Sequence, residues 1–185
     1  MTYAIKLFRN LKSKPLLRGM VIYSVTWPCS SLIQQSFDKE AKYSWSRALK
    51  FSLYGSLFVA PSLYGWMRFS CLIWPQNTLK YALIKGFVEQ VSYGPFAMCS
   101  FFFIMTLLDN GTVEDGLKEI SNKFVPTWKV AVFVWPFVQT INYTLIPEKN
   151  RVPFIGVCSV GWTIFLAFMK YQNEHAIENK NQSAN

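Results

Sequence analysis

Almost nothing charged interrupts the long apolar stretches of this chain, and that feature constrains its fold more than any other. Five stretches can be traced, about Leu16 to Phe37, Ala48 to Phe69, Leu79 to Leu108, Trp128 to Ile146 and Val152 to Met169. A helix needs about 20 apolar residues to cross the hydrocarbon core of a bilayer. Each stretch approaches or exceeds that length, and only one acid, Glu89, lies inside any of them. The expected fold class is therefore all-α, a polytopic membrane bundle of four or five proline-kinked helices. Periodicity alone does not separate five spans from four plus an interfacial helix. Composition agrees, because only 16% of the residues are charged, whereas a soluble domain carries about a quarter. Three regions follow: a basic amphipathic segment over 1–15, the helical bundle over 16–170 and a polar tail over 171–185.

Pro28, Pro61, Pro95 and Pro136 each sit inside one of the first four stretches. Each removes a backbone donor and frees a carbonyl one turn earlier. In a bilayer such carbonyls must be satisfied by neighbouring helices, Ser or Thr side chains, or water. Pro153 is expected in the first turn of the last helix, where its missing N–H costs little, following a tight polar turn over Pro147 to Arg151. Ser52, Ser56 and Ala60 form a small-residue ridge that lets another helix approach closely. No GxxxG occurs, so no dedicated dimer face is evident and a homo-oligomer stays open. The stretch from Val113 to Phe124 reads either as a solvated loop or as a short surface helix with Val113, Leu117 and Ile120 toward the membrane.

The formal net charge is +9, but its distribution does not favour direct nucleic-acid binding. Lys6, Arg9, Lys12, Lys14 and Arg18 precede the first acid, Asp38. An acid-free basic start of this kind suits anionic lipid or organelle import, and it lacks the apolar core and cleavage site of a secretory signal. With five spans, Lys and Arg divide ten to nine between the two sides, which leaves orientation open. The four cysteines fall in or beside apolar stretches without metal-ligand spacing and read as buried thiols. The single histidine, His175, lies in the tail, so no metal, cofactor or imidazole-based catalysis is expected, and no nucleophile and base constellation marks an enzyme.

The polar residues inside the apolar stretches carry the functional expectations. Glu89 has Gln90 beside it and Lys85 one turn earlier, and an acid at that depth must face a bundle interior or a water-filled cavity and find a partner. Lys85 is the local candidate. Either Glu89 is a proton- or ion-sensing group on a pathway, or it is structural, held in a buried ion pair or as a hydrogen-bonded protonated acid. Gln34 and Gln35, together with Gln139 and Asn142, supply neutral hydrogen-bonding groups that line a conduit or join helices. Trp135, Gln139 and Asn142 share one helix face by spacing. Arg151 is placed to hold a lipid phosphate or a neighbouring acid.

The run Trp135-Pro136-x-x-Gln139-x-x-Asn142-Tyr143-x-x-Ile146-Pro147-x-x-x-Arg151, followed by Trp162, resembles the signature of the Mpv-seventeen family, which includes the 22-kDa peroxisomal membrane protein. Gln34-Gln35, Pro61-x-x-x-Gly65-Trp66 and Lys85-x-x-x-Glu89-Gln90 with Pro95 fall in the same order upstream. The pattern departs from the family at Cys29-Ser30, where the family carries Gly-Asp, at Glu89 for Asp, at Tyr143 for Phe, and at Phe165-Leu166-Ala167 for Tyr-Leu-Ser. These differences point to a subfamily member. The resemblance implies an integral protein of the mitochondrial membrane, inner by preference, or of the peroxisomal membrane. It implies channel-like behaviour toward ions or small metabolites, with effects on membrane potential and on reactive-oxygen or mitochondrial DNA homeostasis. The alternative is a non-catalytic scaffold or lipid-organising protein of the same membranes.

Overall fold

The computed structural model describes residues 14–37 and 43–182, with side chains described through residue 165. The proposed amphipathic helix over 2–14 lies almost wholly outside the described residues. Among those described there is helix and no strand. The helices are α1 (Pro15–Ser36), α2 (Trp45–Tyr54), a π-helical turn (Gly55–Val59), α3 (Ala60–Ile73), α4 (Leu79–Val91), α5 (Tyr93–Leu108), α6 (Val113–Leu145) and α7 (Glu148–Gln182). Helix α1 packs chiefly on α7, α4 on α6, and α2, α3 and the π turn close around α1. Two helical stretches, Leu79–Leu108 and Val113–Leu145, are long and apolar enough to cross a membrane.

The radial distribution of side chains shows the solvent for which this bundle is built. Phe133 is 82% exposed, Leu72 76% and Leu145 73%, while Lys85 and Asn142 are 0% exposed and Gln139 2%. In water this arrangement would be unfavourable twice over, because apolar surface would be wetted and polar groups dried. In hydrocarbon, exposed Phe and Leu cost nothing, and inward polar groups escape desolvation without a partner. The chain is an all-α membrane protein. A smaller apolar core remains inside, built on Tyr23, Phe51, Tyr54, Leu63 and Met67, with Trp27 and Phe101 packed against it.

Pro28 stands inside α1, and its ring forfeits the bond to the carbonyl of Ser24. That carbonyl accepts the Ser52 hydroxyl of α2 at 2.9 Å, so the small-residue ridge both admits α1 and repairs its proline. The π turn immediately precedes Pro61, absorbing the proline at the start of α3 rather than at a helix centre. Gly55, in that turn, is where Trp27 lies closest. A Cβ there would stand 2.6 Å from the indole Cγ.

Several expectations are corrected. Pro95 lies in the first turn of α5, because the third apolar stretch breaks at Ser92 and restarts at Tyr93. The region after Asp109 is not a loop up to Lys123. Thr112 caps α6 through reciprocal bonds with Asp115, and the helix then runs unbroken through Pro126 and Pro136. The capping box supplies a start signal strong enough to extend the helix beyond the membrane-length segment. The supposed turn over Pro147 to Arg151 is helical from Glu148, which places Pro153 inside α7 rather than in its first turn. The α7 backbone continues helical to Gln182, through most of the segment read as a tail. Cys29 is exposed rather than buried, and the other three thiols are partly so. In a membrane an apolar-facing thiol needs no protein around it.

Candidate functional site

Helices α3, α4 and α6 bring a polar layer together in the bundle interior. Glu89 of α4 accepts hydrogen bonds from Trp66 Nε1 of α3 at 3.2 Å, from Tyr143 OH of α6 at 3.4 Å, and from Gln139 Nε2 of α6. Gln139 Oε1 in turn accepts Asn142 Nδ2 at 2.9 Å, and that amide nitrogen also approaches Met67 Sδ at 4.0 Å. Asn142 Oδ1 has no partner. The close approach of α4 to α6 depends on Gly86, where a Cβ would lie 3.3 Å from the Pro136 carbonyl.

Lys85 is not the partner of Glu89, although the two share a face of α4 and both are buried. Its ammonium donates to the Gln76 carbonyl at 3.3 Å, approaches Cys71 Sγ at 3.9 Å and stands over the Tyr143 ring at 5.1 Å. Long side chains on a helix lean toward its N-terminus. Lys85 therefore reaches away from Glu89, toward the loop that precedes α4. Arg151 also stands over the Tyr143 ring, with its guanidinium carbon 5.2 Å from the centroid. Arg151 donates to the carbonyls of Ile146 and Tyr143, to Asn77 Oδ1 and to Cys71 Sγ.

Two cavities flank this layer. The first, of about 240 Å³, is lined from every helix of the bundle, and its wall includes Glu89, Gln90 and Gln139 together with Trp27, Phe101, Trp135 and Trp162. Gln34 and Ser30 reach it from α1. Trp135 and Trp162 meet edge to face across it, with centroids 5.9 Å apart. The second, of about 290 Å³, lies at the bundle end formed by the start of α1, the end of α3 and the start of α7, and includes Met67, Arg68, Cys71 and Arg151. Gln139 and Glu89 line the first cavity and Met67 and Arg151 the second, and the linings are joined by side-chain contacts through Asn142 and through Tyr143.

Gln35 stands apart from the layer. It is buried, but its Oε1 accepts the Ser44 N–H at 2.6 Å while its Nε2 donates to Ser31 Oγ at 3.1 Å. This ties the end of α1 to the residue that caps α2. Pro147 lies one residue before α7 and takes no part in the layer. Among the described residues no cluster of His, Cys, Asp or Glu has the makings of a metal site. Trp66 was not singled out as a partner for Glu89, although a buried acid demands a donor and the indole N–H is a natural one.

Comparison with known proteins places these residues in context. A model described as the Mpv17 / PMP22 family matches residues 106–167, which hold the end of α5, all of α6 and the first half of α7. PXMP2/4 family protein 4 of Dictyostelium discoideum is 29% identical over 137 residues, covering 74% of each chain. The Mpv17-like protein of Xenopus laevis is 28% identical over 176 residues, 94% of this chain and 86% of the relative. Protein sym-1 of Neurospora crassa is 28% identical over 169 residues, covering 88% and 96%. No solved structure matches.

Proposed function

The chain belongs to the Mpv17 / PMP22 family of membrane proteins, and from that premise we propose that it is a non-catalytic, channel-like protein passing ions or small metabolites across an organelle membrane. The observation that carries this reading is a layer of buried polar side chains, Glu89, Gln139, Asn142 and Tyr143, standing between a cavity inside the bundle and a second one at its end. Interhelical glue alone needs no cavity on either side. The described arrangement is then the closed one, and conduction requires Gln139 and Tyr143 to leave Glu89. A membrane carboxylate on such a path is the expected selectivity and proton-sensing group. The basic, acid-free start of the chain supports a mitochondrial membrane, with the peroxisomal membrane as the alternative. Effects on membrane potential, and through it on reactive-oxygen and mitochondrial DNA homeostasis, belong to the same reading.

The test is reconstitution of the full-length protein in liposomes, with solute release and single-channel current as readouts. Wild type should pass small ions above the protein-free background, and Glu89→Gln should alter ion preference or abolish the dependence of current on pH between about 5 and 8, the range that a perturbed membrane acid can cover. Absence of flux for every solute and voltage would leave the scaffold reading in its place.

A further inference from the structure

The cavity at the bundle end contains a buried charge whose one ion-pair partner among the described residues is an exposed carboxylate. Arg151 is only 4% exposed, and a guanidinium does not lose its proton in a protein. Its close partners are two carbonyls, an amide oxygen and a thiol. The one carboxylate in reach, Glu148, is 3.9 Å away, and its side chain is 72% exposed. Lys85 next to it is also buried, and it too bonds a carbonyl and the same thiol. Glu89 accepts the Tyr143 hydroxyl, whereas both cations stand over the ring, and it forms no ion pair with either. A buried cation without a buried counter-ion is costly, so the position favours an anion drawn from outside.

The cavity supplies a place for that anion. Arg68 lines it from α3 and is exposed, and among the described residues it has no hydrogen bond or ion pair. Pro15, Tyr64 and Cys71 complete the wall, with Glu148 at the rim. The surrounding end of the bundle carries Lys14, Arg18, Lys80 and Lys149, while Glu148 is its only acid among the described residues. Arg68 brings a free guanidinium fork to this cavity of about 290 Å³, and Arg151 the one N–H that its four bonds leave over; a phosphate group accepts charge-assisted N–H bonds from both. Basic pockets between membrane helices are suited to such head groups.

We propose that this cavity is a phosphate-binding site, with Arg68 as its fork and Arg151 as the buried charge and single further donor behind it. The phosphate is either the phosphodiester of an anionic lipid or a phosphate entering from the aqueous phase. The proposal does not depend on whether the bundle conducts, because its readout is binding rather than flux.

The experiment uses the full-length protein in phosphatidylcholine nanodiscs and follows thermal unfolding. One arm titrates inorganic phosphate against chloride at matched ionic strength. The other replaces part of the lipid with phosphatidylglycerol in phosphate-free buffer. A saturable rise in Tm in the first arm identifies an aqueous phosphate, and a rise confined to the second identifies a lipid head group. In whichever arm responds, Arg68→Gln should weaken apparent binding about tenfold, the factor that corresponds to one charge-assisted fork. Arg68 is exposed, so this variant should fold even where Arg151→Lys does not. Equal shifts with chloride, no shift in either arm, or an Arg68→Gln protein that responds as wild type would each overturn the proposal.

Discussion

Replacing Glu89 with Ala and with Gln should have very different costs, and the difference tests the polar layer directly. Glu89→Ala removes the acceptor for three donors at once, Trp66 Nε1, Tyr143 OH and Gln139 Nε2. Interhelical hydrogen bonds in membranes average about 0.6 kcal/mol and reach about 1.7 kcal/mol. Three of them amount to about 2–5 kcal/mol, before any term for the space left behind. Glu89→Gln instead keeps one oxygen for Trp66 and Tyr143 and turns an NH2 toward Gln139. Gln139 can then rotate its amide to present oxygen to the new donor, directing its NH2 at Asn142. Asn142 can rotate likewise, because its Oδ1 has no partner to lose. The only contact forfeited is the long one between Asn142 Nδ2 and Met67 Sδ. The expected cost of Glu89→Gln is therefore about 1 kcal/mol, the scale of a single such bond.

Reversible unfolding in mixed micelles, followed by tryptophan fluorescence, gives both values. Equal costs for Glu89→Ala and Glu89→Gln would refute the relay and with it the hydrogen-bonded layer as described.

Two further predictions concern the scaffold that holds the layer. Gln35→Ala removes the acceptor of the Ser44 N–H and the link to Ser31, so it should lower unfolding free energy by about 1–3 kcal/mol. A loss below about 0.5 kcal/mol in the same micelle assay would contradict the clamp. Gly55→Ala drives a methyl to within 2.6 Å of Trp27 and should cost about 1–3 kcal/mol through overpacking. Gly65→Ala meets nothing within 4 Å and should lie within about 1 kcal/mol of wild type, on the favourable side if helix propensity decides. Equal effects of the two alanines would reject the close packing of Trp27 on the π turn.

The helices were legible because apolar length and proline position are local properties. The stretches assigned to Leu16 through Phe37 and Leu79 through Leu108 match α1 and the pair α4 and α5 to within a residue or so at each end. The requirement that a hydroxyl repair a proline was also legible in kind, since Pro28 frees a carbonyl and Ser52 was already marked as a packing position. What escaped were the boundaries set by capping and by the last turn. Thr112 and Asp115 extended α6 toward the loop, and Glu148 began α7 five residues ahead of Pro153. Hydropathy responds to the membrane, whereas helices end where their backbone groups find partners.

The polar layer was legible only as a set of residue types. Spacing put Gln139 and Asn142 on one face and Lys85 and Glu89 on another, but it also offered Lys85 to Glu89 as the nearest opposite charge. The structure rejects that pairing because the partners of Glu89 lie 23, 50 and 54 residues away, on helices whose packing no local pattern records. Once Trp66, Gln139 and Tyr143 occupy the acid, Lys85 has to find acceptors toward its own N-terminus. There it meets Cys71 and the neighbourhood of Arg151. The separation of Glu89, at the Tyr143 hydroxyl, from the two buried cations over the Tyr143 ring follows from tertiary packing rather than from sequence spacing. It leaves the acid facing one cavity and the guanidinium, paired only with exposed Glu148, facing the other.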